Sequence, residues 1–143
     1  MKNMVLLIDA NVLLNYLLNR GVECDYAMTV INFCRKGKVR GYMAFHTVSI
    51  LWYALRKKPV QERRELLLDL CKIINVAGVS HDSVMSALEN EAFPDFEDCL
   101  QEKCAEACNA RYIVTENIKD YKTSTVPAIT ATEMVDILLS MER

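Results

Sequence analysis

Met4-Val5-Leu6-Leu7-Ile8-Asp9-Ala10-Asn11-Val12-Leu13-Leu14-Asn15-Tyr16-Leu17-Leu18 is the stretch that decides the fold. Five apolar residues run unbroken into one acid, as in a strand buried on both faces of a parallel sheet. Leu13, Leu14, Leu17 and Leu18 then repeat with the spacing of a buried helix face. Asp9 is therefore expected where a central strand becomes a helix. In open parallel sheets that strand end is where ligands bind. A carboxylate there either serves function or caps the helix.

Composition narrows the classes. The 143 residues suit one domain, 1–143, with one real core. At 52% apolar the chain is too hydrophobic to be disordered. No apolar run approaches the roughly 20 residues of a membrane span. The N-terminus lacks the charged, apolar and small-residue order of a signal peptide. The expectation is a cytoplasmic protein with no membrane partner. A net charge of −2 argues against a general nucleic-acid coat but not against a local basic rim. Cys99, Cys104 and Cys108 are spaced helically, without a C-x-x-C pair or a nearby His. They read as buried, reduced cysteines rather than zinc ligands.

Beyond the opening stretch, the pattern predicts a helix over 25–35, a strand over 39–45 and a helix from His46 or Thr47 that stops before Pro59. A helix over 60–74, a short strand over 75–79 and a helix over 83–91 follow, the last capped by Ser80 or Asp82. A helix opens near Asp95 and runs to about Asn109. Strands are expected over 112–115 and 126–129, separated by a polar loop. Thr130-Ala131-Thr132-Glu133 is a capping-box signature that starts a final helix. The economical architecture is a three-layer α/β/α fold with a central parallel sheet of four or five strands.

Three acidic stations fall at equivalent places in that scheme. Asp9 ends the first strand, Asp95 and Asp98 open the helix before the fourth, and Asp120 follows it. Parallel topology carries all three to one edge of the sheet. Clustered carboxylates repel one another unless a cation neutralises them, and hard oxygen ligands suit Mg²⁺ or Mn²⁺. Such ions activate water and stabilise a phosphodiester transition state. Each acid also has a simpler reading as a helix cap, a first-turn charge complementing the helix dipole, or a turn residue. The combination favours the metal site.

Two other folds place an acid after the first strand. Haloacid-dehalogenase-like phosphatases want a second Asp two residues on, where this chain has Asn11. Response-regulator receivers want paired acids near the first strand and a phosphorylatable Asp after a central one, and the chain offers neither.

The sequence resembles the PIN domain family. The resemblance rests on Leu7-Ile8-Asp9-Ala10-Asn11-Val12-Leu13-Leu14, on Asp95-Phe96-Glu97-Asp98-Cys99-Leu100-Gln101, and on Ile113-Val114-Thr115-Glu116-Asn117-Ile118-Lys119-Asp120-Tyr121. It implies a metal-dependent ribonuclease, and in small bacterial members a VapC-like toxin paired with an antitoxin and forming a homodimer. It implies Asp9, Asp98 and Asp120 as catalytic residues and Asp9, Asp95, Asp98 and Asn117 around the metal. Thr115 would position a water or a phosphate, and Asn11 accompanies Asp9. The family usually carries a Glu on the helix after the second strand. Here that helix, His46 to Leu55, holds no acid, and Ile50 occupies the place. Loss of a ligand weakens metal binding. The competing expectation is therefore a catalytically weak or inactive scaffold that binds RNA or a protein.

A nuclease also needs cations to hold phosphates. Arg35, Lys36, Lys38 and Arg40 form one cluster and Arg56, Lys57 and Lys58 another. Each is also an ordinary helix end. His46 reads first as a structural histidine and second as a base or phosphate ligand, and Tyr16, Trp52 and Tyr53 read as core or interface.

Overall fold

Leu6, Leu7 and Ile8 are fully buried, and around them the chain builds a five-stranded, all-parallel sheet of order β3-β2-β1-β4-β5. The computed structural model describes residues 4–142. β1 (Val5–Ile8) is central, flanked by β2 (Arg40–Ala44) and β4 (Tyr112–Val114). Leu6 faces Gly41 on one side and Tyr112 on the other. β3 (Asn75–Ala77) and β5 (Ala128–Ile129) form the edges. This is the parallel, helix-covered architecture that the apolar first run predicts.

Alternate residues of each central strand serve two cores. Leu6, Ile8, Met43 and Val114 face one layer, built with α1 (Ala10–Leu17), α2 (Glu23–Arg35), α3 (Phe45–Ala54), α4 (Val60–Cys71) and α7 (Ala131–Met141). Leu7, Ala44 and Ile113 face the other, built with α5 (His81–Glu89) and α6 (Phe96–Ala107). Cys99 and Cys104 belong to this second core, and Cys24 and Cys34 are buried as well. Burial pushes the Cys34 thiol up to about 12 and that of Cys104 to about 11, so both stay protonated. Cys71 is exposed.

β2 carries a tight approach. A Cβ on Gly41 would lie 2.7 Å from both Cys34 Sγ and Ile74 Cδ1. Only glycine lets α2 and the turn between α4 and β3 close over the strand at that point. The α1–α2 connection turns through Asn19 and Gly21, both with positive φ.

Boundaries shift modestly from expectation. α2 begins at Glu23 and α3 at Phe45, each two or fewer residues early; α4 ends at Cys71. Ser80, not Asp82, caps α5. The polar loop after β4 winds into a 3-10 turn over Ile118–Tyr121. Among the described residues no helix is long and apolar enough to cross a membrane.

Candidate active site

β1 is the switch point of the sheet: the connection through α1 and α2 leads to β2 on one side, and β4 lies on the other. A crevice opens outside the carboxyl ends of strands at such a point. Asp9 stands in it. Its backbone N–H donates to Val114 O at 2.9 Å, the last rung between β1 and β4, and its own carbonyl accepts from Val12 and Leu13 to start α1. The apolar run thus ends where the strand must become a helix, and the acid is the residue at the joint.

Four donors hold the Asp9 carboxylate. Ala10 N donates to Oδ1 at 2.8 Å and Gln101 Nε2 at 3.2 Å. Thr115 Oγ1 donates to Oδ2 at 2.8 Å and Asn11 Nδ2 at 3.3 Å. Burial pushes the Asp9 carboxyl above its ordinary value, and the Thr115 and Ala10 hydrogen bonds and the charge of His46 oppose that rise. Desolvation wins over the hydrogen bonds, so the site favours anything that stabilises the charged form.

Thr115 is fully buried at the end of β4. Its hydroxyl accepts from Asn117 N at 3.1 Å and from Asn11 Nδ2 at 3.3 Å. With both lone pairs engaged, its one proton is directed at Asp9. Its hydrogen-bonding capacity is therefore spent within the protein, on Asp9 rather than on a water or phosphate. Asn11 ties the same corner together, because its Oδ1 accepts from Glu116 N at 3.1 Å.

α6 brings the second station. Asp95 is its N-cap, with Oδ1 accepting from Glu97 N at 2.8 Å, so the capping role is real. Asp98 sits in the first turn, half-buried, and accepts a long 3.4 Å hydrogen bond from Tyr121 Oη. Burial and the charges of Asp95, Asp120 and Asp9 push the Asp98 carboxyl up to about 6. Tyr121 is buried in the 3-10 turn and held protonated, above its ordinary value, by burial and the Asp9 and Asp98 charges. Asp120 adds its charge to Asp98 and Tyr121 but does not line the cavity.

The crevice is a cavity of about 310 Å³ bounded by Asp9, Asn11, Asp95, Asp98 and Asn117. Gln101, Thr47, Tyr121 and Arg20, to which the sequence assigns no part in the site, share it with His46 and Ile50. Ile50 lines the wall, an apolar side chain at an otherwise acidic centre. Burial lowers the His46 pKa, while Glu97 and Asp9 pull it back up. Arg20, in the α1–α2 connection, is the cation of the lining, whereas Arg35, Lys36, Lys38, Arg40 and the Arg56–Lys58 run lie outside it. Arg56 instead packs over the Tyr53 ring at 4.2 Å and Arg63 over Trp52 at 4.3 Å. Gln101 had one legible signal: it falls three residues after Asp98 on the same helix face.

The PIN domain family model matches residues 5–119, which take in the Asp9 and Asp95–Asp98 stations and stop just before Asp120. The chain belongs to the PIN domain family. Two solved structures show how far the fold extends. VapBC2 from Rickettsia felis, solved bound to a DNA fragment from its promoter, aligns with a TM-score of 0.69 at 15% identity, covering 89% of this chain and 98% of that one. VapBC-1 from nontypeable Haemophilus influenzae aligns with a TM-score of 0.65 at 17% identity, covering 90% and 99%. At such identities the likeness is one of fold. No curated protein sequence matches the chain.

Proposed function

We propose that this PIN domain is a Mg²⁺- or Mn²⁺-dependent endoribonuclease and the toxin of a toxin–antitoxin pair. The observation that carries the reading is Asp9, oriented by four donors at the sheet's switch point with Asp98 beside it in one cavity. Among the described residues, no three His, Cys, Asp or Glu side chains converge as a ready-made metal site. The donors present nevertheless fit a small hard cation. Asp9, Asp95, Glu97 and Asp98 line the cavity together with two buried, unpartnered oxygens, Thr47 Oγ1 and Gln101 Oε1. Mg²⁺ is commonly held by one or two carboxylates and keeps several waters.

When bound, such an ion lowers the pKa of water and neutralises charge on a phosphodiester. The protein's part follows from the geometry. Asp9 is held rigidly by its donors, with Thr115 and Asn11 fixing Oδ2. Asp98, beside Asp9 in the cavity, is the second carboxylate that would hold the ion. Arg20 offers the phosphate a cation and His46 a ring N–H. Asp95, Asp120 and Asn117 surround these groups as further acidic and polar support.

The partner reading rests on likeness in fold to the two VapBC structures. An antitoxin and a homodimer are the expected partners, and RNA the expected substrate. The test is cleavage of end-labelled RNA by the purified protein in Mn²⁺, stopped by chelation. A second reading is favoured by Ile50 in the cavity wall: a weak or inactive scaffold that binds RNA or protein. It predicts RNA retention without cleavage under the same conditions.

A further inference from the structure

Two polar side chains in the cavity are almost wholly buried and leave an oxygen unpaired. Gln101 is 2% exposed and Thr47 1%. Gln101 Oε1 and Thr47 Oγ1 have no hydrogen-bond partner among the described residues, although both residues line the cavity with Asp9 and Asp98. Burying a polar oxygen without a partner is unfavourable, and native structures rarely tolerate it without a reason. They come from different layers, Thr47 from the first turns of α3 and Gln101 from α6. Local helix geometry cannot account for both orphans in one crevice.

We propose that Gln101 and Thr47 supply neutral oxygens to the coordination shell of the cation, making good the acid that Ile50 does not provide. The proposal rests on the metal-dependent reading above and names the ligands that complete that site. Amide carbonyls and hydroxyls are hard oxygen donors suited to Mg²⁺ and Mn²⁺. They add coordination without adding charge, so they do not increase the repulsion already present among Asp9, Asp95, Asp98 and Asp120.

Gln101 has two arrangements open to it. Without the ion, Nε2 donates to Asp9 Oδ1 at 3.2 Å and offsets the carboxylate's charge. Rotation about the broad terminal torsion of the side chain exchanges Nε2 with Oε1. The oxygen then faces the carboxylate's side of the cavity, where a cation replaces the amide hydrogen as Asp9's partner. Gln101 is thus a donor to the empty site and a ligand in the filled one.

The two roles predict opposite signs. If Gln101 only competes with the ion for Asp9, its removal tightens Mn²⁺ binding. If it is a ligand, removal weakens binding. The experiment is calorimetric Mn²⁺ titration of the parent and of Gln101→Met, Gln101→Glu, Thr47→Val and Thr47→Ser, with metal-free melting curves as the control for folding. Expected are a loss of about tenfold or more for Gln101→Met, the scale of lost support at metal sites, a smaller loss for Thr47→Val, near-parent binding for Thr47→Ser, and tighter binding for Gln101→Glu. Unchanged or tighter binding in Gln101→Met overturns the assignment of Gln101. Equal loss in Thr47→Ser and Thr47→Val overturns that of Thr47. Binding absent in the parent, or undiminished in Asp9→Asn, overturns the metal reading itself and is distinguishable from both.

Discussion

Thr115 Oγ1 donates a 2.8 Å hydrogen bond to Asp9 Oδ2 across 106 positions of sequence. The bond joins the ends of two adjacent parallel strands and gives the acid its orientation. Thr115→Val keeps the shape of the side chain and deletes the proton. A hydrogen bond to a charged group contributes about 1.5–3 kcal/mol, and Asn117 N would lose its acceptor as well. The expected result is lower stability in urea unfolding and weaker Mn²⁺ binding, with both restored in Thr115→Ser. A valine variant as stable and as tight as the parent would show that Asp9 is held by its other donors alone.

Asp98 makes the stability of the metal-free protein depend on pH. Its folded-state carboxyl keeps its proton up to about 6, against an ordinary value of 3.8. Between those values the native state binds more protons than the unfolded state, so stability falls as pH rises. Above about 6 the penalty is complete. Asp98→Asn removes it. Solvent reaches this half-buried group and screens the effect, so a gain of roughly 1 kcal/mol is expected at pH 7.5. The gain should vanish near pH 4. Urea unfolding of parent and variant at both values measures it, and a pH-independent difference would mean that neither burial nor the neighbouring acids raise the Asp98 carboxyl.

Gly41→Ala tests the packing that positions β2 beside β1. The added methyl would start 2.7 Å from Cys34 Sγ and Ile74 Cδ1. Overpacking of this kind costs about 1–3 kcal/mol. A melting temperature equal to the parent's would mean that α2 and the strand are less tightly closed than described.

The C-terminal helix, α7, packs against α2 in the first core and contributes no residue to the cavity. Thr130 and Glu133 form a complete capping box, with Thr130 Oγ1 accepting from Glu133 N at 3.1 Å and Glu133 Oε1 from Thr130 N at 3.0 Å. Thr130→Ala should cost about 1 kcal/mol and leave Mn²⁺ affinity unchanged. A change in affinity would show that α7 is coupled to the site.

Much of this was legible in the sequence because local chemistry and global topology agree. The run Val5–Ile8 is apolar at every position because helices cover both faces, and the Thr130–Glu133 signature forms the box it encodes. Asp9 was legible because a strand end in a parallel sheet is a place as well as a residue. The two-residue β5 and the 3-10 turn of Ile118–Tyr121 were less visible, since their shape follows from contacts with β4 and α6 rather than from periodicity. Gln101 and Thr47 were hidden for the same reason. On its own helix each is an ordinary polar residue, and only the cavity they share brings their unpaired oxygens together. Arg20 read as a loop residue, because nothing in Asn19-Arg20-Gly21 says that the turn returns to the acidic cavity.

The most direct measurement is RNA cleavage in Mn²⁺ by the parent and by Asp9→Asn, each checked for an unchanged melting profile. Asp9→Asn keeps the size of the side chain and removes the charge that the four donors hold. The account predicts cleavage by the parent and its loss, by at least about a hundredfold, in the variant. Equal cleavage by both proteins would contradict it, and so would an intact parent that binds Mn²⁺ and leaves RNA uncut.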